Sequence, residues 1–286
     1  MPHVSLVFDE GPGAGLGHRR RMEALAYAFT GLGYECDLRS GATEAVSQIV
    51  VVDSYRCRAD DPSRFNGEVV VAIDDLARDL CVDVVVDPSP GAEESRHHNA
   101  DLVLAGARFA LIETAELCEF RDDVHCILVT TGAADVAGNG CEMAGAIAAA
   151  LPDVTVRLVL GRWGSRAVPP GVEVVEAPSG LAGELAAADL VVCAGGVTLL
   201  ESMRRGLPTV AVVIADNQAA AVRALSASGA AARADLANVA EIVTGLVHDG
   251  DARRELARRA HETIDGQGPR RVATEVARVA VARQRR

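Results

Sequence analysis

Short apolar runs with almost no polar interruption alternate along this chain with longer stretches in which apolar residues recur at helical spacing. In the first half the runs are Val4–Phe8, Gln48–Val52, Val69–Ile73, Val82–Val86 and Leu102–Leu104, and the stretch His18–Leu32 carries Met22, Leu25, Ala26 and Phe29 on one helical face. Runs of this kind suit strands buried on both faces. The alternation therefore predicts an α/β fold, a parallel sheet with helices on both faces. The text turns charged over Glu119–His125, and a new apolar run opens at Cys126, which sets a boundary between domains 1–122 and 123–286. The second half repeats the pattern with strands expected at Val154–Leu160, Val172–Val175, Leu190–Cys193 and Thr209–Ile214, followed by a helical tail from Asp216 onward. Two similar α/β halves imply a cleft between them, with ligands at the carboxyl ends of the strands, where the glycine-rich turns fall.

Length agrees with two domains, since 286 residues exceed the roughly 100–200 of a typical one. Hydrophobic residues make up 49% and aromatics only 3%, so the core is built from Ala, Val and Leu, and platforms for stacking nucleobases are scarce. The formal charge is −12, and basic runs such as Arg19–Arg21, Arg270-Arg271 and Arg285-Arg286 are no longer than three residues. That balance argues against a nucleic acid or a membrane surface as partner. No apolar stretch reaches the roughly 18 residues of a spanning helix and no export signal is visible, so a cytoplasmic protein is expected. Seven scattered cysteines with no Cys-x-x-Cys pair read as small core residues in a reducing compartment. Asp249-Gly-Asp251 lies between two helical patterns and reads as a connector, not a metal site.

Phe8-Asp-Glu-Gly-Pro-Gly-Ala-Gly-Leu-Gly-His18 follows the first strand and opens the first helix. No register of it gives Gly-x-Gly-x-x-Gly, which removes the main support for a dinucleotide fold of the hydride-transfer type. What remains is a flexible loop that delivers one imidazole to a helix N-terminus. There the helix dipole favours the neutral ring, the state a general base needs. The alternative is a histidine that only hydrogen-bonds locally. Of the three arginines that follow, Arg21 is the one expected to face the site.

The second glycine cluster, Asp189-Leu-Val-Val-Cys-Ala-Gly195-Gly196-Val-Thr198-Leu-Leu-Glu201, is again strand, turn and helix. Backbone N–H groups of Gly195 to Thr198 at a helix start form an anion seat fit for a diphosphate, and Glu201 could reach a ribose diol. A capping box, Thr198-x-x-Glu201, would need the helix alone. Gly206-Leu-Pro208 and Ala215-Asp216-Asn217-Gln218 add polar groups at the same edge, with an ordinary N-cap as the alternative for Asp216.

Gly-Gly-x-Thr-x-x-Glu, then Gly-x-Pro, then Asp-Asn-Gln, resembles the C-terminal nucleotide-binding domain of family 28 glycosyltransferases. The whole chain is more similar to the UDP-sugar hydrolases of the pseudaminic acid pathway and to their relatives among spore-coat polysaccharide glycosyltransferases. That resemblance runs through Gly15-Leu-Gly17-His18 with Arg21, Asp53-Ser-Tyr55, Ile73-Asp74-Asp75-Leu76, Gly195 through Gln218, and Asp265-Gly266-x-Gly268-x-x-Arg271. It implies a GT-B architecture of two Rossmann-like domains, with UDP held by the second, and inversion at the anomeric carbon with neither metal nor cofactor. It makes His18 the base, gives Gly195, Gly196, Thr198 and Glu201 to the nucleotide, and gives Gly15, Gly17, Arg21, Tyr55, Asp74, Asn217 and Gln218 to the sugar or substrate. Asp74-Asp75 could instead cap a following helix.

Two turns depart from the family. Gly132-Ala-Ala-Asp135 stands where Gly-Gly-Ser-Asp is common, and Asp87-Pro-Ser-Pro-Gly91 replaces an Asp-Gln-Asn-like turn, so a changed pocket is expected. The partner is a nucleotide-sugar, a UDP-sugar first of all. The chemistry expected is release of free sugar by water, with transfer to an unknown acceptor as the alternative and a binding protein without chemistry as the third reading.

Overall fold

A computed structural model describes residues 1–11, 16–132, 137–161, 168–177 and 180–285. The chain divides into two compact units, Met1–Thr114 with Gly266–Arg286, and Ala115–Asp265. The expected boundary at 122/123 falls close to the first crossing, and the C-terminal stretch, expected with the second half, joins the first unit. Its last helix presents Val272, Ala273, Val276 and Ala280, apolar at helical spacing, to the core of the first unit.

In the first unit β1 (His3–Phe8) leads through α1 (Gly17–Thr30) to β2 (Glu35–Ser40), then come β3 (Ala45–Val46), β4 (Ile49–Asp53), β5 (Phe65–Asn66), β6 (Val69–Ile73), β7 (Val84–Asp87) and β8 (Leu102–Ala105). Six strands form one sheet in the order β2-β1-β4-β6-β7-β8, and every pair is parallel. The order reverses between β1 and β4, the point at which open α/β sheets place ligands. Strand residues alternate strictly between two cores. Leu6, Ile49, Val51, Val71 and Val84 join Met22, Leu25 and Phe29 of α1 on one face, while Val7, Val50, Val52, Ala72 and Val85 pack on the other.

That second face departs from the expectation of helices on both sides. Its core is closed by Cys57, Ala59, Phe65, Leu80 and Val82, which come from loops and from the β3–β5 ladder. Strand β2 also went unpredicted. It pairs with β1 from His3↔Glu35 to Phe8↔Ser40, yet as an edge strand of mostly exposed, polar residues it carries no apolar run.

The second unit holds β9 (Cys126–Thr130), α2 (Asn139–Ala150), β10 (Thr155–Val159), β11 (Val172–Val175), α3 (Ala182–Ala187), β12 (Leu190–Ala194), α4 (Val197–Arg204), β13 (Thr209–Val212), α5 (Ala219–Ala227), β14 (Ala232–Ala234), α6 (Val239–His248) and α7 (Gly250–Thr263). Its parallel sheet has the order β11-β10-β9-β12-β13-β14, the Rossmann arrangement with its reversal between β9 and β12. The expected tail of helices from Asp216 is interrupted by β14, three residues of Ala-Arg-Ala that owe their strand to pairing with β13. Two buried charges fasten this unit. Asp189 accepts from the backbone N–H groups of His125 and Cys126, each at 2.8 Å, and so fixes the start of β9. Arg253, 1% exposed, donates to the Leu246 and Val247 carbonyls at the end of α6 and to the Asp122 carbonyl. Asp249 accepts from Ala252 N at 2.9 Å as the N-cap of α7, a connector as expected.

Helix α8 (Gly268–Gln284) docks through its first residue. A Cβ on Gly268 would lie 2.0 Å from the Ala110 carbonyl oxygen, with backbone on that side and nothing that can yield. Gly268→Ala is therefore expected to destabilise the first unit by about 1–3 kcal/mol, seen as a lower urea midpoint. An unchanged midpoint would mean that α8 can dock with more room than its contacts imply.

Candidate active site

Strands β4, β6 and β7 in the middle of the first sheet are apolar until they end, and there the acids begin. Asp9 follows β1, Asp53 ends β4, Asp74 follows β6 and Asp87 ends β7, and all four are buried. A buried carboxylate needs donors or a cation, and the surrounding residues supply them.

His18, 3% exposed, lies in the first turn of α1. It sits four residues before Met22 and so continues the stripe that Leu25 and Phe29 complete, which turns the imidazole inward. Its Nδ1 is 2.7 Å from Asp53 Oδ1. Such a contact requires a proton between the two atoms, so Nδ1–H donates and the neutral ring keeps its lone pair on Nε2. Arg21, one turn on, clamps the same carboxylate from Nε to Oδ2 and from Nη2 to Oδ1, both at 2.9 Å. Arg21 Nη2 is also 2.9 Å from His18 Nδ1. Because neither group has a lone pair to offer the other, Asp53 Oδ1 receives both protons.

Arg21 Nη1 reaches Asp75 Oδ2 at 3.2 Å, and the Tyr55 hydroxyl donates to the same carboxylate at 2.8 Å. Burial works against the Arg21 charge, but Asp53 and Asp75 outweigh it and push its pKa upward. Burial and then the Asp75 charge push the Tyr55 phenol up, so it remains a donor at neutral pH. The Tyr55 ring meets the His18 ring edge to face, centroids 4.8 Å apart. Asp9 fixes the backbone beneath them, accepting from Ser54 Oγ and from Tyr55 N, each at 2.9 Å.

Asp74 was expected at the substrate or as a helix cap. No helix follows it, and its two oxygens accept from Arg78 N at 2.7 Å and Arg78 Nε at 2.6 Å, with no exposed surface. It supports the edge from below, and Asp75 is the one of the pair that reaches Tyr55 and Arg21. Farther along, Arg96 donates to Asp87 at 2.8 Å and His97 Nε2 lies 3.2 Å from the same oxygen.

In the second unit α4 begins at Val197 with Gly196 as N-cap and no side-chain cap, so Thr198 is inside the helix and the capping box is not formed. Gly195 is packed closely: a Cβ there would meet Val222 Cγ2 at 2.6 Å. Gln218, expected at the substrate, uses Oε1 to accept from Gly195 N at 3.3 Å and from Ile214 N at 3.2 Å, joining the ends of β12 and β13. Asn217 is exposed beside it. Burial, and after it the Glu201 carboxylate, push the Cys193 thiol up. Gly132 adopts φ +89° at the end of β9. Gly15 and positions 133–135 lie outside the described residues, and Gly17 is the first residue of α1.

Thus His18, Arg21 and Tyr55 come together in one unit, and Gly195, Gly196, Thr198 and Glu201 in the other. Of the acids that join the first set, Asp53 carries no role in the sequence reading, and Asp75 carries that of a sugar contact or a helix cap. The signal for them was present, since four apolar runs each end in aspartate. Among the described residues no group of His, Cys, Asp and Glu is arranged to hold a metal ion, and no helix is long and apolar enough to cross a membrane.

No family model matches the sequence, and no curated protein matches it. The fold is GT-B. Solved structures similar to the whole chain include MurG of Acinetobacter baumannii, at 14% identity and a TM-score of 0.61 over 97% of this chain and all of that one. The glycosyltransferase SnogD from Streptomyces nogalater shares 15% identity at a TM-score of 0.66, over 98% of this chain and all of that one. The spinosyn rhamnosyltransferase SpnG, complexed with thymidine diphosphate, shares 16% at 0.61, over 97% of this chain and all of that one.

Asp53→Asn keeps the shape of the clamp and removes its charge. It is expected to cost about 3 kcal/mol by urea denaturation, because Arg21 then has only Asp75 to answer it. Asp75→Asn, at a partly exposed site, should cost on the order of 1 kcal/mol. Equal losses would show that the two carboxylates share the guanidinium evenly.

Proposed function

We propose that this protein is an inverting glycosyltransferase that uses a nucleoside diphosphate sugar, a UDP-sugar first of all. The observation that carries the reading is the buried His18–Asp53 pair at the carboxyl edge of the first sheet, in which Nδ1 bonds the carboxylate and Nε2 is the nitrogen left for a substrate. His18 Nε2 takes the proton of an acceptor hydroxyl while that oxygen bonds to C1 of the sugar. The C1–O bond to the diphosphate breaks, and its electron pair leaves on the phosphate oxygen. Asp53 is the positioning residue: it fixes the tautomer and steadies the imidazolium once the proton has arrived. Val197 and Thr198 offer backbone N–H groups at the start of α4, where negative charge on the departing diphosphate is favoured, while the Gly196 N–H is given to the Ala194 carbonyl at 2.8 Å. Glu201 is assigned to the ribose hydroxyls.

The solved neighbours are glycosyltransferases, which supports an acceptor hydroxyl over water as nucleophile and reverses the order expected from sequence. Hydrolysis stays as the second reading because the motifs that resemble the UDP-sugar hydrolases, Gly17-His18 with Arg21, Asp53-Ser-Tyr55 and Asp74-Asp75, are the ones gathered at this edge. Product analysis decides between them. UDP release that needs an acceptor and yields a glycoside supports transfer, and UDP matched by free sugar with no acceptor present supports hydrolysis. Thymidine diphosphate sugars belong in the same panel, since SpnG is complexed with thymidine diphosphate.

His18→Ala should lower turnover by roughly 100-fold or more and leave UDP affinity unchanged, because the base and the nucleotide seat belong to different units. Undiminished turnover would remove His18 from the chemistry. Glu201→Ala should weaken UDP binding by about 1–3 kcal/mol in a direct titration of folded protein. Unaltered affinity there would leave the ribose without this partner.

A further inference from the structure

We propose that the loop after Tyr55 forms an anion site for a carboxylate or phosphate group carried by the acceptor. The inference rests on the glycosyl-transfer reading above and names the class of acceptor for it. Along Arg56-Cys57-Arg58-Ala59 the side chains alternate: Cys57 and Ala59 enter the apolar core under the sheet, and Arg56 and Arg58 are exposed. The buried Cys57 and Ala59 anchor the backbone of this turn, and Arg56 and Arg58 line one cavity on its exposed side. Phe65, buried in the same core, fixes the far end of the loop, and Arg64 precedes it. A surface cavity of about 560 Å³ is lined by Arg56, Arg58, Asp60, Asp61 and Arg64.

Charge and geometry in this cavity favour an anion. Three guanidiniums face two carboxylates, a local excess of one positive charge on a chain whose formal charge is −12. Arg58 is held by both oxygens of Asp60, Nε to Oδ1 at 3.0 Å and Nη2 to Oδ2 at 2.8 Å, and Arg64 pairs with Asp61 at 3.3 Å. Arg58 Nη2 also donates to the Asp79 carbonyl and Arg64 Nη1 lies 3.9 Å from Cys57 Sγ, so these contacts orient both arginines and use part of each fork. Among the described residues the Arg56 guanidinium has no acceptor, so it is the group with a full charge to offer.

The cavity is tied to the dyad. Ser54 Oγ, which donates to Asp9, accepts from Arg56 N at 3.0 Å and from Cys57 N at 2.9 Å, so one hydroxyl sets the turn from the site into the loop. Arg56 is the third residue after Asp53, at most roughly 11 Å of chain away. A small acceptor could place its anion on Arg56 and its hydroxyl toward His18.

Inorganic phosphate is the probe, titrated calorimetrically into the full chain already saturated with UDP, so that the seat at α4 is filled. Wild type should bind phosphate in the millimolar range, Arg56→Lys should bind like wild type, and the double variant Arg56→Ala/Arg64→Ala should bind at least about tenfold more weakly with UDP affinity unchanged. The same affinity in the double variant, or no phosphate binding to wild type, would overturn the proposal. Should the alanine pair misfold, Arg56→Glu, an exposed single change, carries the same expectation. Failure of UDP to bind would instead sink the donor reading, and phosphate titrated into the free chain would still decide whether the arginines form an anion site.

Discussion

A parallel sheet covered on both faces has no room for charge along its strands, so the charges collect where the strands end. In the first unit that constraint places Asp9, Asp53, Asp74 and Asp87 in a buried row at the carboxyl edge. Four carboxylates taken out of water would be prohibitive without partners, and each has found donors: hydroxyl and backbone for Asp9, a histidine and a two-pronged guanidinium for Asp53, Arg78 for Asp74, Arg96 for Asp87. The need to satisfy these acids is what draws His18 and Arg21 inward from an otherwise solvated turn, where Arg19 pairs with Glu23 on the surface.

The same constraint gives the site its rigidity. His18 belongs to a helix whose inner stripe is fully buried, its Nδ1 is bonded to a carboxylate at the end of a central strand, and its ring face is fixed by Tyr55. Tyr55 is held in turn by Asp75 through the phenol and by Asp9 through the backbone. A base held from three directions loses little freedom when a substrate arrives. In the second unit precision has another origin. The Gly195 backbone lies so close to α5 that no side chain fits, and Gln218 clips the ends of two strands together beneath the turn.

Much of this was legible in the amino-acid order. Runs such as Val69–Ile73 and Leu190–Cys193 fall on strands because burial on both faces demands uninterrupted apolar residues. The helix after the first glycine loop, with Met22, Leu25 and Phe29 inside, follows from its period of about 3.6 residues. Strands β2 and β14 were illegible for the converse reason: an edge strand and a three-residue strand are held by backbone pairing with a neighbour, which needs no apolar signature. That Arg21 turns inward was readable too, from its place one turn beyond His18.

Sequence alone determined the α/β alternation, the two glycine turns at helix starts and the candidacy of His18, since each depends on residues close together in the chain. Tertiary structure alone decided that α8 returns to the first unit, that loops close one face of its sheet, and that Asp75 and not Asp74 meets Tyr55. It also decided the partner of the imidazole, because Asp53 is 35 residues from His18 along the chain and only the register of β4 beside β1 brings the two together. Local order specifies which residues can form a helix or a strand; which charges share one buried edge depends on the pairing of strands distant in sequence, and no local pattern encodes that pairing.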